Sequence, residues 1–180
     1  MERELVERAM HGDEEAFDAL VGSIGDSMYS VARRILRDTT LAQDATQQAL
    51  LDAWQHLPTL RDPDRFEAWT HRLLVRACYA EARRERRQHG ELRLLGRDDF
   101  DPDSASRLAT LDQLDRGFRK LSVEHRTVVV LVHYLGLSPT EAAERMGTPA
   151  GTARSRLHYA LQQLRSAFEA DARVATRGTA

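Results

Sequence analysis

The sequence predicts an all-α protein made of two small helical domains joined by a flexible linker. Apolar residues recur every three or four positions along most of the chain, and Gly or Pro interrupts this period at only a few points. One stretch near the middle loses the period and gathers Gly, Pro and acidic residues. We therefore expect a first domain over residues 1–88, a linker over 89–107, a second domain over 108–172 and a disordered tail over 173–180.

The first domain is predicted to be a helical bundle. Four apolar stripes precede Pro58, which cannot continue a helix, and the first of them stops at Gly12. Asp62 and Pro63 form an N-cap followed by a first-turn proline, which opens another helix that runs past Cys78. The tail of this helix, EARRERRQ, is strongly basic. Helices of this length and pattern can pack into one bundle.

The second domain begins with apolar residues at a helical spacing from Leu108 onwards. Ser122 is placed to cap a helix that Gly136 ends. This helix contains VVVLV, residues 128–132, which has a high strand propensity. Its length and its caps nevertheless favour a helix.

The stretch GLSPTEAAERMG predicts a short helix with both ends specified. Ser138 and Glu141 have the spacing of a capping box, Pro139 lies in the first turn, and Gly147 ends the helix. A second helix, basic and free of acidic residues at its start, follows after a tight turn. Two such helices are typical of a helix-turn-helix. The alternative is a helical hairpin with a solvated basic face.

The second helix of this motif is predicted to bury an apolar stripe and to present polar residues to DNA. In a recognition helix, Arg reads guanine through two hydrogen bonds, while Ser, Thr and Tyr bind phosphate. Gly151 is costly inside a helix and indicates a close backbone approach to another helix or to DNA. The predicted buried residues are Ala153, Leu157, Ala160, Leu161, Leu164 and Phe168. The predicted DNA-facing residues are Thr152, Arg154, Ser155, Arg156, His158 and Tyr159.

Charge is spread unevenly along the chain, although the net charge is only −2. Residues 1–60 carry −6, residues 61–89 carry +3, residues 90–115 carry −4 and residues 116–180 carry +5. Alternating acidic and basic blocks indicate a protein that meets both a basic partner and a polyanion. The alternative is an ordinary solvated surface.

Several classes of protein are excluded by composition. The charged start, MERELVERAM, is not a secretory signal, and no apolar run approaches the roughly 18 residues of a membrane span. Cys78 is the only cysteine and is predicted to lie in the core, so a disulfide or a cysteine metal cluster is ruled out. The seven His residues are scattered without metal-ligand spacing. We expect a cytoplasmic protein that is not an enzyme, is not inserted in a membrane, and needs no metal or cofactor.

Three stretches of the chain resemble the extracytoplasmic-function (ECF, group IV) RNA polymerase sigma factors. GLSPTEAAERMGTPAGTARSRLHYALQQLR resembles sigma region 4.2, and DTTLAQDATQQALLDAW resembles region 2.2. FEAWTHRLLVRACYAEARRERR resembles regions 2.3 and 2.4. The resemblance implies a sigma region 2 bundle and a sigma region 4 helix-turn-helix. Such a protein binds core RNA polymerase, recognises promoter DNA and is often held inactive by an anti-sigma factor.

The resemblance also implies site residues, and the six DNA-facing residues named above become readers of the minus-35 element. Gln48 lies where the family has Glu, and Arg76 lies where many members have Asn. The implied polymerase-binding residues are Asp44, Gln47, Gln48, Leu51 and Trp54. The implied minus-10 residues are Arg61, Arg65, Arg72, Arg76, Arg83, Arg84, Arg86 and Arg87.

Two other functions remain open from the sequence. A helix-turn-helix regulator that is not a polymerase subunit would explain residues 137–165, but not the Asp44 helix or the basic residues 83–87. A sigma-like protein that has become an interaction or antagonist module is compatible with Gln48 and Arg76.

Overall fold

Helices make up the regular structure of the described part of the chain. The computed structural model describes residues 2–94 and 116–177, and no strand occurs within these ranges. The all-α class with two helical units is confirmed. The first unit contains α1 (Glu2–Met10), α2 (Glu14–Leu36), α3 (Thr39–His56), 3-10 turns at Leu57–Thr59 and Pro63–Arg65, and α4 (Phe66–Leu94). The second contains a helical segment at 116–120, α5 (Val123–Val129), a π-helical turn at Val130–Tyr134, α6 (Pro139–Met146) and α7 (Ala150–Arg177).

Side-chain caps fix the starts of the helices in the first unit. The Asp13 carboxylate accepts a hydrogen bond from the Ala16 N–H at 3.0 Å, and Asp38 accepts one from the Leu41 N–H at 2.7 Å. Gly12, at φ +89°, supplies the left-handed conformation between α1 and α2. Two of the predicted apolar stripes lie on the single 23-residue helix α2.

The caps of the second unit are those predicted. The Glu141 N–H donates to the Ser138 hydroxyl at 3.2 Å, and the Ser138 N–H donates to the Glu141 carboxylate at 2.8 Å, so the capping box is complete. Gly147, at φ +63°, ends α6 in the left-handed conformation. The VVVLV stretch is helical, as predicted, although its second half forms a π-helical turn.

Two helices extend beyond the predicted domain boundaries. α4 continues to Leu94, six residues past residue 88, and α7 continues to Arg177. The extension of α4, HGELRL, contains Glu, Arg and two Leu, and the extension of α7, RVATR, contains two Arg and an Ala, all of which are strong helix formers. The rest of the predicted linker, and the end of the predicted tail, lie outside the described residues.

The apolar cores of the two units meet along α2 and α4. Val75, on α4, is buried with residues of the second unit. Val123, which begins α5, and Val130, which begins the π-helical turn, are buried with residues of the first unit. The largest fully buried side chains of the first unit are Val6, Leu20, Met28, Val31, Ile35, Leu57, Thr70, Leu74 and Val75.

Candidate functional site

One face of α4 carries a stripe of arginines. All eight predicted minus-10 arginines are exposed, from Arg61 and Arg65 before the helix to Arg87 near its end. Arg72, Arg76, Arg83 and Arg87 are separated by four, seven and four residues, so they share one face of the helix. We call these four residues the arginine stripe. Its surface attracts a polyanion along about four turns of helix.

Few carboxylates neutralise these arginines. An Arg84 nitrogen lies 3.6 Å from a Glu81 carboxylate oxygen, and an Arg65 nitrogen lies 3.9 Å from one of Asp62. Arg83 donates instead to the backbone carbonyl of Tyr79 at 3.2 Å. Within residues 2–94 and 116–177, no member of the arginine stripe forms an ion pair. The stripe therefore keeps its positive charge for an external partner.

The first three turns of α7 present the predicted recognition residues to solvent. Arg154, Ser155, His158 and Tyr159 are exposed, and Tyr159 is 57% exposed. The His158 and Tyr159 rings meet edge to face, with centroids 5.7 Å apart. Thr152 and Arg156 are half-buried. Ala153, Ala160 and Leu164 face the core, as the apolar period predicts.

Arg154 and Arg156 lie on opposite sides of α7. Residues two apart on a helix are separated by about 200° around its axis, so one base step cannot be read by both side chains. Arg156 is close enough to Glu124 to help lower the pKa of that carboxyl, whereas Arg154 faces solvent. Arg154 is therefore the more accessible of the two to an external partner.

The structure tests two sequence predictions for α7, one about Leu161 and one about Gly151. Leu161 was predicted to be buried but is 41% exposed, because it lies one position past Ala160 and is rotated out of the buried stripe. A Cβ added at Gly151 would have no atom within 4 Å, so no described helix approaches its backbone. Close packing against another described helix is therefore not the reason for Gly151.

A groove lies between α2 and α3. Its volume is about 700 Å³, and three of the predicted polymerase-binding residues line it: Gln47, Leu51 and Trp54. Leu51 is 49% exposed, and the Trp54 ring packs on Phe17 with centroids 4.8 Å apart. The other lining residues are Glu14, Phe17, Asp18, Val21, Tyr29, Gln43, Thr46 and Leu50.

The α2 side of this groove was missed by the sequence prediction. Phe17 and Val21 belong to the second apolar stripe of the sequence, and Phe17 lines the groove although it is buried in the core. Glu14 and Asp18 add acidic groups on the same helix. The strongly acidic block over residues 1–60 was the signal that could have located it. The predicted residues Asp44 and Gln48 are exposed on α3 but do not line the groove, and Gln48 donates to Asp52 at 2.8 Å.

Comparison with known proteins identifies the family. The family model for Sigma-70 region 2 matches residues 20–88, and the model for Sigma-70 region 4 matches residues 111–164. The ECF RNA polymerase sigma factor SigM of Mycobacterium tuberculosis is 31% identical over 163 residues, which cover 89% of this chain and 81% of SigM. The chain belongs to the ECF RNA polymerase sigma factors.

Other relatives of this sigma factor cover both units. The RNA polymerase sigma-E factor of Streptomyces coelicolor is 32% identical over 172 residues, covering 92% of this chain and 95% of the relative. CnrH, solved in complex with the cytosolic domain of CnrY, is 27% identical, with a TM-score of 0.67 over 94% of this chain and 98% of CnrH. The sigma factor RpoE of Bartonella quintana, in complex with the anti-sigma factor NepR, has the same fold: TM-score 0.67, 21% identity, 86% of this chain and 98% of RpoE.

Family membership settles the general activity of the chain. A sigma factor binds core RNA polymerase and directs it to promoters, so the arginine stripe and α7 belong to a promoter-binding protein. The region 2 match contains α3 and the stripe, and the region 4 match contains the helix-turn-helix. A regulator that is not a polymerase subunit is not favoured.

Neither a metal centre nor a reactive thiol is found in the described residues. No group of three or more His, Cys, Asp or Glu side chains within residues 2–94 and 116–177 is arranged to hold a metal ion. Burial raises the pKa of the Cys78 thiol to about 12, so this cysteine is protonated and unreactive at neutral pH. None of the described helices is long and apolar enough to cross a membrane.

Proposed function

We propose that three surfaces of this sigma factor divide the work of initiation. The arginine stripe, together with Arg61 and Arg65, binds the minus-10 element. The first turns of α7 read the minus-35 element, with Arg154 at a base edge. The groove between α2 and α3, with Asp44 and Gln48 beside it, binds core polymerase. In this proposal the domains extend over residues 1–88 and 108–172, and the chain catalyses no reaction itself.

The three surfaces differ in charge and in side-chain type, and these differences support the proposal. The stripe carries charge without partner carboxylates, as phosphate binding requires. The α7 surface combines Arg with Ser, His and Tyr and has no acidic residue in its first three turns. The groove is apolar inside and has Glu14 and Asp18 on its lining, which suits a basic amphipathic helix of a partner. The single observation that carries most weight is the exposed, unpaired arginine stripe.

Run-off transcription with purified core polymerase tests the function as a whole. With genomic fragments as templates, the chain should produce discrete transcripts that core polymerase alone does not produce. Leu51→Asp should abolish co-purification with core polymerase, because it places a charge in the groove, and Asp44→Arg should weaken it. Leu161→Asp is the matched control, since Leu161 is also an exposed leucine but lies on α7. If Leu51→Asp co-purified with core polymerase as well as wild type does, the groove would be rejected as the docking site.

The proposal includes a regulatory partner and a location. The solved relative RpoE is bound to an anti-sigma factor, which supports an anti-sigma factor as a partner of this chain. A protein that binds RNA polymerase works in the cytoplasm. Pull-down from the native organism with tagged full-length chain should recover polymerase subunits together with any such inhibitor.

A further inference from the structure

Another cavity lies between α1, α2 and the start of α4. Its volume is about 420 Å³, the space of roughly 14 water molecules. No residue of the arginine stripe, of the groove between α2 and α3 or of the first turns of α7 lines it. The lining residues are Leu5, Leu20, Ser23, Ile24, Ser27, Met28, Glu67, Thr70 and His71.

The walls of this cavity are apolar. Leu5 lies on α1, and three further apolar residues, Leu20, Ile24 and Met28, follow one another at a spacing of four along α2. Sites for small molecules typically have a volume of about 300–1,000 Å³, apolar walls and a few polar groups that converge on the ligand. The polar groups of this cavity therefore decide which ligand it accepts.

The hydroxyl groups beside the cavity offer lone pairs rather than protons. Ser23 donates its hydroxyl proton to the Leu20 carbonyl at 2.7 Å, and Thr70 donates its own to the Glu67 carbonyl at 3.0 Å. Because a hydroxyl has one proton, each of these oxygens can only accept a further hydrogen bond. Glu67 adds a carboxylate that only accepts, and it forms no ion pair within the described part of the chain.

His71 is a buried polar residue whose ring has no protein partner. It is 6% exposed and lines the cavity, and within residues 2–94 and 116–177 its ring makes no hydrogen bond. Burial lowers the pKa of His71, and Arg145 lowers it further against Glu67, so the ring is neutral at pH 7. A neutral imidazole has one nitrogen that accepts a hydrogen bond. A ligand that donates to this nitrogen satisfies a buried polar group.

The charge of the cavity fits a monocation. Among the described residues, Glu67 is the one acidic or basic residue with a full charge in the lining. Arg145 is close to His71 but does not line the cavity, and it donates to the Glu141 carbonyl at 3.4 Å. A primary ammonium group has one positive charge and three N–H donors, which match one carboxylate and its neighbouring acceptors. An anion would be repelled, and a polyamine would find no second carboxylate.

We propose that this cavity binds a small primary amine, with the ammonium group at Glu67 and His71 and the apolar body against the walls. Glu67 and His71 are four residues apart on α4, so they lie on the same face of the helix and can hold one group. The inference goes beyond the proposed function, because the surfaces proposed to bind DNA and polymerase do not line the cavity.

Methyl NMR of the full chain, labelled at its methionine methyl groups, tests the inference without DNA or polymerase. The chain has four methionines; Met28 lines the cavity, whereas Met146 lies in the second unit. Benzylamine is the ligand to use, because its ring shifts the resonances of methyl groups close to it. The Met28 resonance, assigned by its loss in Met28→Leu, should move and saturate with a Kd of roughly 1 mM or lower. The Met146 resonance should stay in place.

Three related compounds separate the contribution of charge from that of hydrogen bonding. Benzyl alcohol lacks the charge, benzyltrimethylammonium keeps the charge without an N–H donor, and benzoate reverses the charge. The first two should bind about tenfold or more weakly than benzylamine, because each lacks part of a charged hydrogen bond. Benzoate should leave the Met28 resonance unchanged. Equal binding of benzoate and benzylamine would overturn the assignment of an amine.

Two variants at exposed positions test the site without disturbing the core. Glu67→Gln removes the carboxylate charge and should weaken benzylamine binding about tenfold or more, and Ser27→Phe should fill the cavity and abolish the Met28 shift. Glu15→Gln changes an exposed glutamate of α2 that does not line the cavity, and it should bind like wild type. Circular dichroism should show all three variants to be folded.

Two results would contradict the inference. The first is a Met28 resonance that does not respond to benzylamine up to about 10 mM, well above the affinity expected for a ligand of this size. The second is wild-type binding of benzylamine by both Glu67→Gln and Ser27→Phe, which would place the amine elsewhere on the chain.

Discussion

The two helices proposed to face DNA, α4 and α7, are both exposed but carry different chemistry. The exposed stripe of α4 consists of Arg alone, whereas α7 places Arg154 beside Ser155, His158 and Tyr159. Guanidinium groups bind phosphate whatever the sequence, while a mixture of donors, acceptors and rings distinguishes base edges. We infer that α4 supplies most of the affinity for promoter DNA and that α7 supplies most of the sequence specificity.

The largest expected effect follows from reversing charge on α4. Arg72→Glu with Arg76→Glu should weaken binding of the holoenzyme to promoter DNA by about 100-fold or more at low salt, because two phosphate contacts become repulsive. The loss should be similar for matched and mismatched minus-10 sequences. Fluorescence anisotropy with labelled promoter fragments measures both. Arg33→Glu, at an exposed arginine of α2, is the control and should leave binding near wild type.

The salt dependence sharpens the same comparison. Replacing Arg72 and Arg76 by Gln instead of Glu removes two phosphate contacts without adding negative charge. The logarithm of the DNA-binding constant should then fall less steeply with the logarithm of salt concentration, and the slope should be shallower by about 1.4 to 1.8. A loss confined to one minus-10 sequence would show that α4 reads bases, and the contrast with α7 would fail.

A smaller, sequence-dependent effect is expected on α7. Arg154→Ala should cost about 1–3 kcal/mol on the cognate minus-35 sequence and much less on a sequence mutated at the contacted base, because a bidentate base contact is lost. Competition binding against a panel of single-base variants measures the difference. Arg165→Ala changes an exposed arginine farther along the same helix and should not alter the order of preference. Equal losses on every sequence would assign Arg154 to phosphate.

Gly151 offers a test in which stability and binding move in opposite directions. Its Cβ position is open, so Gly151→Ala should raise the free energy of unfolding by about 0.4–1 kcal/mol. If the backbone approaches DNA closely there, the same change should weaken minus-35 binding. Gly22→Ala is the matched control, since Gly22 lies in α2 with equally open space. It should stabilise the fold and leave DNA binding unchanged, and unaffected binding in Gly151→Ala would remove DNA as the reason for this glycine.

The sequence predicted the local features of this molecule better than its tertiary ones. The capping box of Ser138 and Glu141 and the stop at Gly147 depend on residues within one turn, so they were predicted correctly. The α2 wall of the groove was missed, because an apolar residue such as Phe17 has the same pattern in a core as beside a groove. Val75 was not foreseen as an interface residue, since its helical stripe does not say which unit covers it.

The smallest expected effect concerns the buried sides of α4 and α7, which differ as their exposed faces do. The described buried residues of α7 are all apolar, whereas α4 buries Thr70 and His71. Burial lowers the pKa of His71, Glu67 opposes this and Arg145 adds to it. A histidine with a lowered pKa binds fewer protons when folded than when unfolded, so it makes unfolding easier as pH falls through about 6.5.

The free energy of unfolding should therefore be greatest above about pH 6.5, and it should decrease as the pH is lowered from about 7 to about 5. The hydrogen-bonded carboxylates Asp13 and Glu141, whose pKa values are lowered, stabilise the fold at neutral pH and lose this contribution only below about pH 4.5. Urea titrations at several pH values should show a shallower decrease for His71→Gln than for wild type. His133→Gln, at an exposed histidine, should follow wild type. If His71→Gln retains the full pH dependence, the titrating group lies elsewhere and the buried side of α4 is no more sensitive to acid than that of α7.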